Sequence, residues 1–442
     1  MVRIPAGKLG LASACATAVA VAVLVAVSGT STRAQQIPSG YLAQNVEVVG
    51  YNDVDGNVPF KMAINSVQNR WYLYVGSFWV RGWSILDVTD PKASKVVKFI
   101  KGPDNTSTVQ MDWAEGARME TPVSRILPGR DFDPNRSFDA GFYIWDLKNP
   151  LDPQRIGYWK SGGTHRNWYD GGRYVHATSA MEGYKGQIYV IVDVADPANP
   201  KEVGRWWYPG QHTAGGEKLE DDEIGLHGPP VPVGNLVYLP YKAGGFIVLD
   251  ISDKSKPRKI GQLSVTPPFK GNEGVHTIVP IPERKIAIAN SEAIDEKCEE
   301  GINFAGIVDI ADPTKPTLLS LFPRPIPPPG LPYTDFCDKG GRFGPHNVNQ
   351  LQHSQWVEKQ TNLVYMTYFN AGLRIFDISN PRQPIEVGYF IPPDPVKRYG
   401  PLPATKLVIQ TNDVLVDTRG YIYITDRNEG VWILRYTGKR KP

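Results

Sequence analysis

The chain has 442 residues, with 43 Gly, 39 Pro, 11% aromatic residues, and 48 basic against 45 acidic side chains. Loss of residues 1–34 would remove Arg3, Lys8 and Arg33 and no acid, leaving basic and acidic side chains equal in number. That balance removes the electrostatic case for a nucleic-acid partner, and frequent Gly and Pro without a long 3.6-residue periodicity point to an all-β chain.

At the N-terminus, Arg3 and Lys8 precede an apolar stretch over 11–27 rich in Ala and Val, and Thr32-Arg33-Ala34 then offers small residues around a cut. This pattern predicts a secretory signal peptide over 1–34, a mature chain over 35–442, a periplasmic or secreted location and no membrane span after cleavage. A membrane anchor is the competing reading, disfavoured by the Ala-rich stretch and the cleavage pattern directly behind it. Two cysteines follow, Cys298 and Cys337. In an exported chain such an even pair is a candidate disulfide.

From residue 84 onward a short apolar run ending in Asp recurs six times, at Asp87, Asp146, Asp193, Asp250, Asp309 and Asp377. Five of these runs continue into Asp-Pro or Asn-Pro within four residues. A phrase repeated at this spacing marks an array of one supersecondary unit. Each unit reads as four strands with the Asp at the end of the third, where it accepts backbone N–H groups and sets a turn. In the fourth unit the strands are expected over 227–233, 236–241, 246–251 and 258–263. A seventh third strand, Gly430-Val-Trp-Ile-Leu-Arg435, has Arg435 in place of the Asp and no fourth strand behind it. Asn45-Val-Glu-Val-Val-Gly50 resembles the fourth strands elsewhere and precedes the first unit. Pairing it with the last unit closes a ring and removes exposed sheet edges. The predicted architecture is a seven-bladed β-propeller, blade 7 closed by the N-terminal strand.

The phrase itself, closest at Val190-Ile-Val-Asp193 and Ile307-Val-Asp309, resembles the LVIVD repeat of secreted bacterial proteins. Lys254 stands where the other turns have Pro, and the seventh unit departs further. The resemblance implies a propeller and export, and no single activity.

Four of the seven histidines, His165, His227, His276 and His346, fall where the first strand of successive units begins. First strands line the channel of a propeller, so four imidazoles are expected at one mouth. The same position in blade 7 holds Asn412-Asp413, possible accessory groups. Neutral imidazoles converging on a point suit a transition metal such as Cu, Fe or Zn, and an arc of ligands leaves positions open for substrate. Hydrogen bonding between blades, without a metal, is the competing role for the same histidines. His176 is expected to pack, and His212 and His353 to lie on loops. Glu292, Asp170 and Arg166 are candidates for a general base or anion contact. Trp168, Tyr169, Trp206, Trp207 and Tyr333 line either a ligand or a blade interface.

Long insertions at 211–226, 291–303, 323–344 and 392–406 are expected on the face where the first strands begin, and Cys298 and Cys337 fall in two of them. The chain reads as an exported metalloprotein acting as an oxidoreductase on a small molecule, or as a non-catalytic module that binds a protein or glycan on the lidded face.

Overall fold

The computed structural model describes residues 35–77, 79–112, 123–128, 135 and 139–439. The signal peptide expected over 1–34 lies outside them. The described strands form seven four-stranded antiparallel sheets, and the fold is an all-β β-propeller. Sheets 1 to 5 run consecutively through the chain: Pro59–Val67 to Lys95–Lys101, Thr106–Asp112 to Gln154–Lys160, Thr164–Tyr169 to Lys201–Trp206, Val231–Val233 to Arg258–Leu263, and Glu273–Ile281 to Thr317–Leu321. Sheet 7 contains Thr411–Val416, Tyr421–Asp426 and Val431–Tyr436, and Val46–Asn52 from the N-terminal region pairs antiparallel with the last of these. Two details differ from expectation. Leu42–Gln44 adds an outer strand to sheet 6, beside Ile385–Ile391, Leu373–Asp377 and Leu363–Thr367, and the channel-side segment of that sheet is reduced to an isolated bridge, Val348 to Met366.

The recurrent Asp is a turn-former in each of the six units that carry it. Asp87, Asp146, Asp193, Asp250, Asp309 and Asp377 each accept the backbone N–H two residues on, at 2.7–3.0 Å. Asp90, Asn149, Asp196, Asp253, Asp312 and Asn380 repeat the bond one turn later, at 3.0–3.1 Å. These paired side-chain caps satisfy backbone donors that the strand ladder has left behind.

That turn also docks on the preceding sheet. Gly50, Gly157, Gly204 and Gly261 sit in the fourth strands, and a Cβ on any of them would lie 1.8–2.2 Å from the carbonyl oxygen of Pro91, Pro197, Lys254 or Pro313, respectively. Only Gly lets the two backbones approach so closely. Buried clusters fill the gaps between sheets: Tyr189 and Ile191 meet Leu239 and Ile247, and Ile288 and Ile307 meet Met366 and Phe376. Ring closure is apolar as well, with Leu415 and Tyr423 of sheet 7 in one cluster with Met62 and Tyr74 of sheet 1.

Three of the four insertions are joined to one another. Cys298 and Cys337 form a disulfide with Cα atoms 5.6 Å apart, linking 291–303 to 323–344. Glu296 accepts the backbone N–H of Thr405 at 2.9 Å, linking 291–303 to 392–406.

Candidate metal centre

The four register histidines come together in the order expected. Ring centroids are 4.0 Å apart for His165 and His227, 4.7 Å for His227 and His276, and 4.9 Å for His276 and His346. His165 and His276 lie within channel strands, Thr164–Tyr169 and Glu273–Ile281, each where the pairing with the second strand shifts register. His227 and His346 do not. The strand expected over 227–233 is regular only at Val231–Val233, and each of these two histidines is held by its backbone N–H, to Pro240 O at 3.2 Å and to Thr367 O at 2.9 Å.

Glu292, one of the acid candidates, stands among the imidazoles. Its Oε2 is 3.2 Å from His276 Nε2 and 3.5 Å from His227 Nε2. Its Oε1 is 3.4 Å from His346 Nε2, 3.2 Å from Arg342 Nη1 and 3.7 Å from Arg427 Nη2. His227, His276 and Glu292 each offer one ligand atom, and the three atoms lie within 4.8 Å of one another.

Hydrogen-bond partners assign the ring protons. His227 Nδ1 lies 3.0 Å from Glu273 Oε2, an acceptor-only group, so Nδ1 carries the proton and Nε2 presents a lone pair. Lys242 Nζ, 2.8 Å from Glu273 Oε1, keeps that carboxylate charged. His276 Nε2 accepts from Arg166 Nη2 at 3.2 Å, and its Nδ1 lies 2.7 Å from Thr277 Oγ1; its lone pair also faces the centre. His346 differs. Asn347 Oδ1 accepts from Arg166 Nη1 at 3.0 Å, which turns the amide nitrogen of Asn347 toward His346 Nδ1 at 3.2 Å. His346 therefore carries its proton on Nε2 and donates toward Glu292. His165 Nε2 and His227 Nε2 are 2.8 Å apart, so His165 donates to the His227 lone pair.

The result is three acceptors close together, Nε2 of His227, Nε2 of His276 and Oε2 of Glu292, with the two imidazole lone pairs engaged by His165 Nε2 and Arg166 Nη2, donors that a metal ion would displace. With bonds of about 2.1 Å, adjacent ligand atoms on one ion are about 3.0–3.4 Å apart, close to the 3.2 and 3.5 Å seen here. Burial holds His276 and His346 neutral, pushing the His276 imidazole down to about 3 and His346 well below its ordinary value. Burial opposes ionisation of Glu292, and the donors around it, His346 Nε2 and the Arg342 and Arg427 guanidiniums, outweigh that cost, so the carboxyl lies well below the usual range. A neutral His276 beside an ionised Glu292 suits a divalent metal.

Other candidates fall elsewhere. Asp413 is paired with Lys61 Nζ at 2.5 Å and turned away from the histidines, because the adjoining sheet 1 presents a buried lysine to it. Asn412 touches the cluster indirectly, its Oδ1 accepting from Arg427 Nε at 3.1 Å. Asp170, expected as a possible acid, caps its own turn through Gly172 N at 3.1 Å and does not enter the site. His176 packs on the second strand against Tyr189, 2.6 Å from its hydroxyl. His212 stacks on Tyr184 and His353 meets Trp168 edge-on. Trp168 and Tyr169 are buried, Trp206 meets Tyr241, Trp207 meets Tyr184, and Tyr333 packs on Phe336. These rings serve packing.

Arg342, Arg427, Glu273 and Lys242 were not among the candidates. Four residues at the cluster share a second register position. Lys242, Glu292, Phe369 and Arg427 all stand where the second strand of their sheet ends, and Phe369 stacks on His346 with centroids 4.7 Å apart. Lys242 and Phe369 both adopt positive φ, 48° and 43°, and each bridges to the next sheet one residue before the histidine position, at Val275 and Thr411. The signal was present as Tyr241-Lys242, Ser291-Glu292, Tyr368-Phe369 and Asp426-Arg427, a mixture of side chains that shares no residue type.

The LVIVD repeat matches this chain at residues 185–207, 233–264, 306–322 and 357–391. This is an LVIVD-repeat chain. No curated protein sequence matches it. Among solved structures, the β-propeller domain of Cps50 (Swd1) from Myceliophteria thermophila is similar at 12% identity and TM-score 0.50, covering 86% of this chain and 96% of that one. A protein from Lactobacillus plantarum is similar at 11% identity and TM-score 0.50, covering 82% and 96%. At these identities the likeness is one of fold. Among the described residues of the LVIVD-repeat chain, no helix is long and apolar enough to cross a membrane.

Proposed function

We propose that this chain is an exported metalloprotein, a closed ring of seven blades whose channel mouth binds one divalent transition metal through His227 Nε2, His276 Nε2 and Glu292. The observation that carries this reading is the inward-facing set of two imidazole lone pairs and one carboxylate oxygen. Two His and one carboxylate leave open coordination positions, a donor set used by non-haem iron and by catalytic zinc. Glu273 and Thr277 act as the outer partners that fix the ligating ring nitrogens. His165 stands beside the site and His346 holds Glu292 in place. The bound metal supplies Lewis-acid or redox chemistry, and the chain's residues orient a small-molecule substrate beside it, in keeping with an oxidoreductase.

The test is metal analysis of protein exported under metal-replete conditions, with His276→Ala beside it. About one equivalent of Fe, Cu or Zn in the parent and loss of it in the variant are expected; metal-free parent protein that also fails to bind these ions on titration refutes the reading.

One observation favours the second reading, a docking face for a protein or glycan. Each of the three joined insertions carries an exposed aliphatic side chain, Ile302, Ile326 and Val396. Protein that binds no metal, yet loses capture of an extracellular partner when these three are changed to Ser, supports that alternative.

A further inference from the structure

Three guanidiniums reach the proposed metal ligands from different parts of the ring. Arg342 arrives from the insertion over 323–344 and Arg427 from sheet 7, both at Glu292 Oε1, and the two flank the ring of Phe369, at 5.7 and 5.2 Å from its centroid. Arg166 arrives from sheet 3, at His276 Nε2. Arg342 and Arg427 share one carboxylate at the cluster, Glu292, and Glu273 is matched by Lys242. Arg342 also keeps a buried Nε–H without an acceptor. A divalent ion placed here meets guanidiniums on several sides, a repulsion that an anion on the open coordination positions removes. Planar guanidinium forks suit carboxylate and phosphate oxygens.

We infer that the site takes a small oxyanion, a carboxylate or a phosphate, as the partner of the metal, held by Arg342 with Arg427 beside it. This rests on the metal reading and specifies its substrate class. Access runs through Arg342, His227 and Glu273, whose side chains are 12–13% exposed, whereas His276 and Arg427 lie deeper.

The experiment is calorimetric titration of succinate and of inorganic phosphate, as separate arms, into metal-free and metal-loaded protein. Parent, Arg342→Met and Arg342→Lys proteins are compared, each with its metal affinity measured alone. At least one oxyanion is expected to bind metal-loaded parent at least tenfold more tightly than metal-free parent. Arg342→Met weakens it tenfold or more and Arg342→Lys less, while metal affinity without oxyanion rises in Arg342→Met, where one repelling charge is gone, and stays near the parent value in Arg342→Lys. Equal oxyanion affinity in parent and Arg342→Met, or no binding of either oxyanion to any form, overturns the inference. Should the metal titrations alone be flat, the metal reading has failed separately; the metal-free arms then decide, binding in the parent weakened tenfold in Arg342→Met keeping the oxyanion site and its absence removing it.

Discussion

Replacing Glu292 separates its charge from its geometry. In Glu292→Gln the amide oxygen can take the Oε1 place, accepting from His346, Arg342 and Arg427, and the amide nitrogen then faces the lone pairs of His227 and His276 as a donor. The variant exchanges a charge-assisted contact to arginine for a neutral one, a loss of about 1–2 kcal/mol, partly offset by relief of acceptor–acceptor repulsion. Glu292→Ala has no such compensation: a buried carboxylate is removed from two guanidiniums, which costs about 3–5 kcal/mol. Melting entropy of about 2.1 cal/mol/K per residue converts these to falls in Tm of about 1–2 °C and about 4–6 °C. Metal at a hundred times its Kd adds about 2.7 kcal/mol to the parent, a rise of about 3 °C, and should add nothing to either variant. Differential scanning calorimetry with and without metal reads all three values. A Gln variant as destabilised as the Ala variant refutes the proton assignment on His227 and His276, and a Gln variant that keeps the metal-induced rise refutes Glu292 as a ligand.

Two further outcomes test the frame around the site. Gly261→Ala places a Cβ 2.1 Å from Pro313 O, a backbone clash between sheets 4 and 5 expected to cost at least 1–3 kcal/mol; a denaturation midpoint within error of the parent would show the sheets free to separate there. His176 is pushed down to about 4 by burial, whereas the unfolded imidazole titrates near 6.5. The unfolded chain thus takes up the proton first, so stability is full above pH 6.5 and falls by up to about 3 kcal/mol as pH drops toward 4. His276 and His346, also pushed down by burial, cost stability across the same window, so His176→Gln, which can still accept from the Tyr189 hydroxyl, should lessen the slope of denaturation midpoints there without abolishing it, and an unchanged slope would assign the acid limb to other groups.

The frame was legible because it rests on local chemistry. An Asp that caps the N–H two residues on needs only its own turn, so six such turns announce six strand ends wherever the chain travels. The resemblance of Asn45–Gly50 to other fourth strands located the closing strand for the same reason, since the pattern of a fourth strand is internal to it. The histidines were legible one step further out: once the turns set the register, four rings at one strand position had to meet. Arg342 shows where such reasoning stops. It lies in an insertion with no register, and its place at Glu292 depends on how the loops fold back and on the Cys298–Cys337 link. Asp413 shows the complementary failure, a residue at the right register whose charge is taken up by Lys61 from the neighbouring sheet.

The second register position explains why the chemistry gathers on this arc of the ring. The end of each second strand turns in positive φ at Lys242 and Phe369 and fastens by backbone bonds to the next channel strand, one residue before His276 and Asn412. A side chain at that position is thus delivered beside the following blade's channel residue whatever its type. The fold needs the backbone bridge and leaves the side chain free to vary, as sites carried on a rigid scaffold generally do. Lys242, Glu292, Phe369 and Arg427 are four different uses of one structural address. Glu292 is the use that brings an anionic oxygen to two imidazole lone pairs, and without it the histidines would be an interblade contact only.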